Sequence, residues 1–310
     1  MLKECLVWAV RQLTQSIVLI FTLIIGFFTL NLSSNSHQEQ MAQQVLQHSW
    51  NTISSHMPGN SGISTALEYL HSRGEQLTDI DLIPVAYARG EKEPEIHRAN
   101  VVDAKLPGVD LSGSWLDHTD FSDSVLIEAI LDNVRMDDTI LDRVDLTDAS
   151  FKNAILKNTS MSGTIATQIK ATNLKLESST LKLATFEKAD LEHSKIIDTR
   201  ALSSNFSDAS LISALLSYSY FVRVSFENAD FQEAELLGTK FYDVNLSDAK
   251  FNNTIGLDKI DWTNSWAWDD KKPQGLESDV PIEYYSSTCR DPDSSSLITK
   301  PPVSCKVSSK

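Results

Sequence analysis

Seven histidines, three cysteines and a run of closely spaced aspartates are the first candidates for chemistry in this 310-residue chain. The histidines stand at positions 37, 48, 56, 71, 97, 118 and 193, and no two have zinc-ligand spacing. Cys5, Cys289 and Cys305 include no C-x-x-C pair, which argues against a zinc site. Cys289 and Cys305 bracket a Ser/Pro-rich stretch. They pair if that end of the chain lies in an oxidising compartment, and otherwise are two free thiols. Asp137, Asp138 and Asp142 lie close enough for a metal or acid–base site. No phosphate-cradling glycine loop and no nucleophile elbow is present. We therefore expect no catalytic residue, no cofactor and no metal, and look to the elements that carry these side chains.

The aspartates belong to a repeat of five. Every fifth residue from Val101 to Phe251 is Val, Leu, Ile, Met or Phe, except Ala166, Ala171 and Ala201. A second column, two residues earlier, runs from Ala99 to Ala249. It holds Ala, Ser, Thr or Val everywhere except at Ile169 and Leu174. The register never slips. A period of five fits neither a helix nor a long alternating strand. It demands short extended pieces joined by regular bends, with both columns on the inner side. Ile169 and Leu174 sit beside the undersized Ala166 and Ala171, which reads as volume compensation in a close-packed interior. Asp137, Asp138 and Asp142 fall at outward positions, where a solvated face explains them better than a metal site.

The segments Ala149-Ser150-Phe151-Lys152-Asn153, Ala189-Asp190-Leu191-Glu192-His193, Ala229-Asp230-Phe231-Gln232-Glu233 and Ala249-Lys250-Phe251-Asn252-Asn253 resemble the signature of the pentapeptide-repeat family. The resemblance covers about half the chain. It implies an all-β solenoid, a right-handed quadrilateral β-helix with four repeats per coil, here over residues 99–256. At about 4.8 Å per coil, nearly eight coils give a rod roughly 37 Å long.

Residues 13–32 are apolar and uncharged, about the length that spans a bilayer. Lys3 and Arg11 precede them, and the next basic residue is Arg73. This asymmetry predicts a single-pass inner-membrane protein of a bacterium. Residues 1–12 would be cytoplasmic and the repeat domain periplasmic. A cleaved signal peptide is the competing reading. Over 33–98 the pattern predicts an amphipathic helix with Met41, Val45, Trp50, Ile53 and Met57 on one side. A short helix capped by Thr65 and Glu68 and stopped by Gly74 follows, then a charged loop. The segment from Asn60 through Leu70 also resembles the leader of membrane-associated family members. Residues 257–310 read as an end cap with Trp262, Trp266 and Trp268, then a Ser/Pro-rich tail.

The chain carries a formal net charge of −15, so no direct binding to nucleic acid is expected. Between Asp103 and Asp148 there are 12 acids and 3 bases, a net of −9. Between Lys152 and Lys250 there are 12 acids and 11 bases, a net of −1. Asp110, Asp120, Asp123, Asp137, Asp138 and Asp142 form a candidate acidic face. Leu202, Val222 and Tyr242, each 20 residues apart, form a candidate apolar partner stripe, with Leu215, Tyr218, Tyr220 and Leu237 near it. A protein partner, self-association or the chain's own tail would cover it. Three functions follow as expectations. The first is a non-enzymatic, membrane-tethered interaction or scaffold module of the cell envelope. The second, implied by the family, is a DNA-mimic regulator of DNA gyrase that uses the acidic coils. The third is an envelope-ligand binder that uses the tryptophan-rich cap.

Overall fold

The structure is a computed structural model that describes residues 37–55, 62–83, 98–277, 280–289 and 300–307. The expected membrane helix over 13–32 and most of the charged loop lie outside these residues. Among the described residues no helix is long and apolar enough to cross a membrane. The chain divides into two units, Met1–His48 and Ser49–Lys310. In the first, residues 37–48 are helical and expose Met41 and Val45. In the second, residues 49–54 are helical and Ile53 is buried; the helical residues 37–54 carry the label α1.

Helix α2, Ile63–Ser72, follows Gly62 and has no side-chain N-cap. The capping box expected of Thr65 and Glu68 does not form, because the helix starts three residues earlier, with Gly62 in the cap position. Glu68 Oε1 instead accepts the Lys105 backbone N–H at 2.7 Å. Ser64 Oγ donates to the Val102 carbonyl at 3.2 Å, and His71 Nε2 lies 3.0 Å from the Pro107 carbonyl. With Ile63, Ala66, Leu67 and Leu70 buried, α2 closes the first coil. Gly74, at φ +72°, ends the helix, and the Glu75 N–H returns to the Leu70 carbonyl at 3.1 Å.

From Ala99 onward the backbone bends at every fifth residue. Among the described residues the twelve short strands are β1 Ala99–Asn100, β2 Thr119–Asp120, β3 Arg135–Asp137, β4 Ile155–Lys157, β5 Lys175–Glu177, β6 Thr180–Lys182, β7 Lys195–Ile197, β8 Arg200–Leu202, β9 Tyr220–Val222, β10 Lys240–Tyr242, β11 Trp266–Trp268 and β12 Glu283–Tyr285. Strands pair in parallel with partners 20 residues on: Arg135 with Ile155, Lys175 with Lys195, Arg200 with Tyr220. The strands β6, β8, β9 and β10 form one sheet, here the first face, and β3, β4, β5 and β7 form the fourth face. Single bridges such as Val125–Asp145 and Ile130–Ser150 build the second and third faces.

The corners explain the polar repeat positions. At every fifth residue from Asp103 to Asn253 the backbone takes a positive φ. Asp, Asn and Gly fill most of these places because they enter the left-handed region at least cost. Inside, every residue of the large column from Val101 to Phe251 is buried, as is the small column. Most of its buried hydroxyls bond the coil before: Thr139 donates to the Leu116 carbonyl, Thr164 to Leu141 and Thr239 to Leu216. The column therefore accepts Ser and Thr beside Ala at little cost, with Thr119 Oγ1 and Ser194 Oγ the members that are buried without a partner.

The coils extend past both expected boundaries, making a solenoid of about nine turns. Before Ala99, the buried Leu77, Ile80 and Leu82 add part of a coil, and Leu82 N–H bonds the Trp115 carbonyl at 2.9 Å. After Gly256, Asp261 pairs with Lys240 and Trp266 with Asn245, offsets of 21, and Gln274 pairs with Lys250, an offset of 24. The winding continues there with small insertions that break the five-residue register.

Candidate interaction surface

The first face presents two outward columns. One reads Thr180, Arg200, Tyr220, Lys240, and the other Lys182, Leu202, Val222, Tyr242, each in strict strand register. Outward positions alternate with the buried Leu181, Ala201, Phe221 and Phe241, as an extended backbone requires. Tyr242 is 48% exposed and Tyr220 38% exposed, while Leu202 and Val222 are half-buried between neighbouring rungs. The Tyr220 ring lies between two cations, with the Arg200 guanidinium 5.8 Å and the Lys240 ammonium 5.2 Å from its centroid.

The remaining members of the expected stripe stand elsewhere. Tyr218 occupies the corner between the fourth and first faces at φ +59°, with its ring over Gly238. A β-carbon on Gly238 would come within 2.8 Å of that ring, so the corner glycine is what seats the tyrosine. Leu237 lies on the fourth face beside this corner, and Leu215 lies on the far edge of that face, bridged to Lys195 and Glu235. The expected single stripe is therefore an L-shaped surface: three residues on the first face, then Tyr220, then the corner.

The six acidic residues do not share a face. Asp110 is on the third face, Asp137 on the fourth, Asp120 and Asp142 on the first, and Asp123 and Asp138 at corners with positive φ. Most have structural partners. Asp110 and Asp120 accept the N–H two residues on, at 3.0 and 2.9 Å. Asp142 accepts Ser160 Oγ and Ser162 N–H from the next coil. Arg143 Nε lies 2.6 Å from Asp123 and holds that carboxyl below its ordinary range. Beside Asp137, the sequence-silent Asp117 is buried and pairs with Arg135 Nε at 2.8 Å; burial pushes its carboxyl up. Asp117 carried no sequence signal because its burial comes from neighbouring coils. Among the described residues no group of three or more His, Cys, Asp or Glu is placed to hold a metal.

The tryptophans divide into two roles. Trp262 caps the axis, its ring 5.3 Å from Phe241 and 5.9 Å from Phe251. Trp266 and Trp268 are 1% and 7% exposed, packed edge-on against each other and with Tyr285. The open aromatic patch expected for ligand stacking is thus absent at Trp266 and Trp268, because β12 and the segment around Cys305 cover them. Cys289 and Cys305 are joined, with Cα atoms 6.0 Å apart. Glu283 anchors the same segment, 2.6 Å from Lys300 and 2.9 Å from Lys306.

The pentapeptide-repeat model matches residues 104–168 and 204–255 in overlapping segments, eight copies in all. Over these residues the repeat segment is similar to the pentapeptide repeats that the model describes. No curated protein sequence matches the chain. Among solved structures, HetL, involved in heterocyst differentiation regulation in the cyanobacterium Nostoc, is 18% identical, with 59% of this chain and 90% of HetL covered and a TM-score of 0.29. QnrB1, a plasmid-mediated fluoroquinolone resistance protein, is 15% identical over 60% of this chain and 90% of its own, with a TM-score of 0.28. A pentapeptide repeat protein of the Arabidopsis thaliana thylakoid lumen is 15% identical over 47% of this chain and 66% of its own, with a TM-score of 0.15. These likenesses carry no functional argument.

Proposed function

We propose that this chain is a non-enzymatic interaction module, tethered to the bacterial inner membrane by residues 13–32, with its repeat rod in the periplasm. The observation that carries the reading is the first face. Leu202, Val222 and Tyr242 stand in register beside a cation-flanked Tyr220, on coils whose other outward positions are mostly polar. Bare surfaces of this kind mark protein contacts. The tether is supported by the uncharged apolar run and by the basic residues before it. The Cys289–Cys305 bond supports an oxidising compartment.

Protease added to spheroplasts tests the location: the rod is digested while the inner membrane stays intact. Protection until lysis removes the envelope reading. A photo-crosslinking residue at Tyr242, used in cells, tests the surface, and a protein adduct specific to that position is the expected result. A second reading, regulation of DNA gyrase by imitation of DNA, is favoured by the 12 acids against 3 bases between Asp103 and Asp148. It predicts inhibition or protection of purified gyrase by the full chain, and inert behaviour there ends it.

A further inference from the structure

The first face is electrostatically self-complementary. Count each of its rungs together with the corner that follows. The four rungs 100–103, 120–123, 140–143 and 160–163 carry Asp103, Asp120, Asp123 and Asp142 against Arg143, a net of −3. The next four, 180–183, 200–203, 220–223 and 240–243, carry Lys182, Arg200, Arg223 and Lys240 against Asp243, a net of +3, and the ninth rung, 261–264, adds Asp261 beside Lys240, which leaves +2 over these five. Among the described residues none of Lys182, Arg200, Arg223 and Lys240 makes an ion pair within 4.0 Å.

The geometry points to a second copy of this chain as the occupant of the first face, packed face to face and antiparallel. This deepens the interaction reading and rests on it. A two-fold axis between the rungs of Ser160 and Thr180 sets the negative half of one copy against the positive half of the other. Rung 120 then opposes rung 220, so Asp120 faces Tyr220 with Arg200 and Lys240 on either side. Asp123 opposes Arg223, Asp142 opposes Leu202 near Lys182, and Val102 opposes Tyr242, while Asp103 and Asp243 form one like-charged pair at the corner. A parallel pairing would set like charge on like charge. The contact has the isologous form expected of a two-fold dimer.

The area sets the strength. Eight rungs at about 4.8 Å make a face about 38 Å long. About four extended residues give a width of about 13 Å, hence about 500 Å² per copy. The total of about 1,000 Å² stands at the lower edge of specific interfaces, so the pair is weak and concentration-dependent. Opposed charges at this edge also make it salt-sensitive.

Sedimentation velocity on the full chain in mild detergent tests this, with two variants. One reverses the basic half (Arg200→Glu with Lys240→Glu), the other the acidic half (Asp120→Lys with Asp142→Lys). Each alone should lose self-association at least about tenfold, since like charges then face each other. Mixed one to one, the variants should pair, because one copy is now negative throughout and the other positive. Restored pairing also proves that both variants are folded. Native protein should weaken as salt rises, which needs no variant. A native chain that stays monomeric up to its solubility limit overturns the inference. A native pair that survives both reversals, or variants that do not pair when mixed despite unchanged circular dichroism, does the same. The in-cell adduct at Tyr242 separates these results from failure of the wider reading. An adduct to a foreign protein leaves the interaction function standing without the self-pair, and no adduct removes both.

Discussion

Replacing Phe226 by alanine should open the C-terminal half of the rod. Phe226 is fully buried, and four rings surround it: Phe231 at 4.9 Å, Phe221 at 5.2 Å, Phe206 at 5.3 Å and Phe241 at 5.6 Å between centroids. Loss of a buried phenylalanine costs about 3–5 kcal/mol, transfer and cavity together. Each aromatic pair is worth about 0.5–1.5 kcal/mol beyond its buried area, and four pairs place this site in the upper half of that range. The ladder cannot collapse onto the gap, because rungs above and below are fixed by strand bonds. Phe226→Leu should cost markedly less, since leucine already fills the same column at Leu126 and Leu146. Urea unfolding, followed by the fluorescence of Trp262 near the ladder and Trp115 at the far end, gives the change from midpoint and slope. Coils contact only their neighbours, so the Trp262 region should melt first in the variant. A loss below about 1 kcal/mol with an unchanged slope would show that the ring is not in a close-packed ladder.

Three further outcomes are expected. Reducing or removing the Cys289–Cys305 bond, which closes a separation of 16 residues, should free the C-terminal segment at a cost of about 3 kcal/mol; fluorescence of Trp266 and Trp268 should shift to the red. Glu283 is partly buried, which pushes its carboxyl up, but hydrogen bonds from Lys300, Lys306 and Tyr285 hold it down to about 2. Its contribution is therefore complete above the ordinary carboxylate range and lost as pH falls toward about 2, so the stability gap between native protein and Glu283→Gln should close over that window. Leu183 holds φ +57° with its side chain 59% exposed, so Leu183→Asn should stabilise the rod by about 0.5–1 kcal/mol in the same urea assay, and a loss would mean that the leucine is covered.

Period and interior were legible because both are local. The large and small columns recur every five residues, and each member needs only its own position to declare a buried role. What depended on neighbouring coils was not legible. Asp117 looks like any outward aspartate, yet Arg135 and the next coil bury it. Leu82 declares nothing alone, because its partner at Trp115 lies across an interrupted stretch. Trp266 and Trp268 read as part of an end cap, with a ligand-binding aromatic patch as the alternative, since nothing in their own segment announces that β12 pairs beside them. Tyr218 reads as a neighbour of the stripe, four residues before Val222. Its corner position follows from the backbone bend and from Gly238.

The unbroken 20-residue coil also makes the chain a ruler that genetic change can read in one unit only. Removing or duplicating 20 residues between equivalent corners leaves every interior contact type in place and changes the rod by about 4.8 Å. Adding one residue in the middle would turn each later side chain onto the wrong side. The offsets of 21 and 24 occur only beyond Lys240, where few coils remain to be thrown out of step. The Asp81–Trp115 bridge, an offset of 34, shows the same freedom before the first full coil, so length in this protein can evolve in whole steps at its centre and freely only at its two ends. Each whole step would also carry the charge reversal on the first face to a new midpoint.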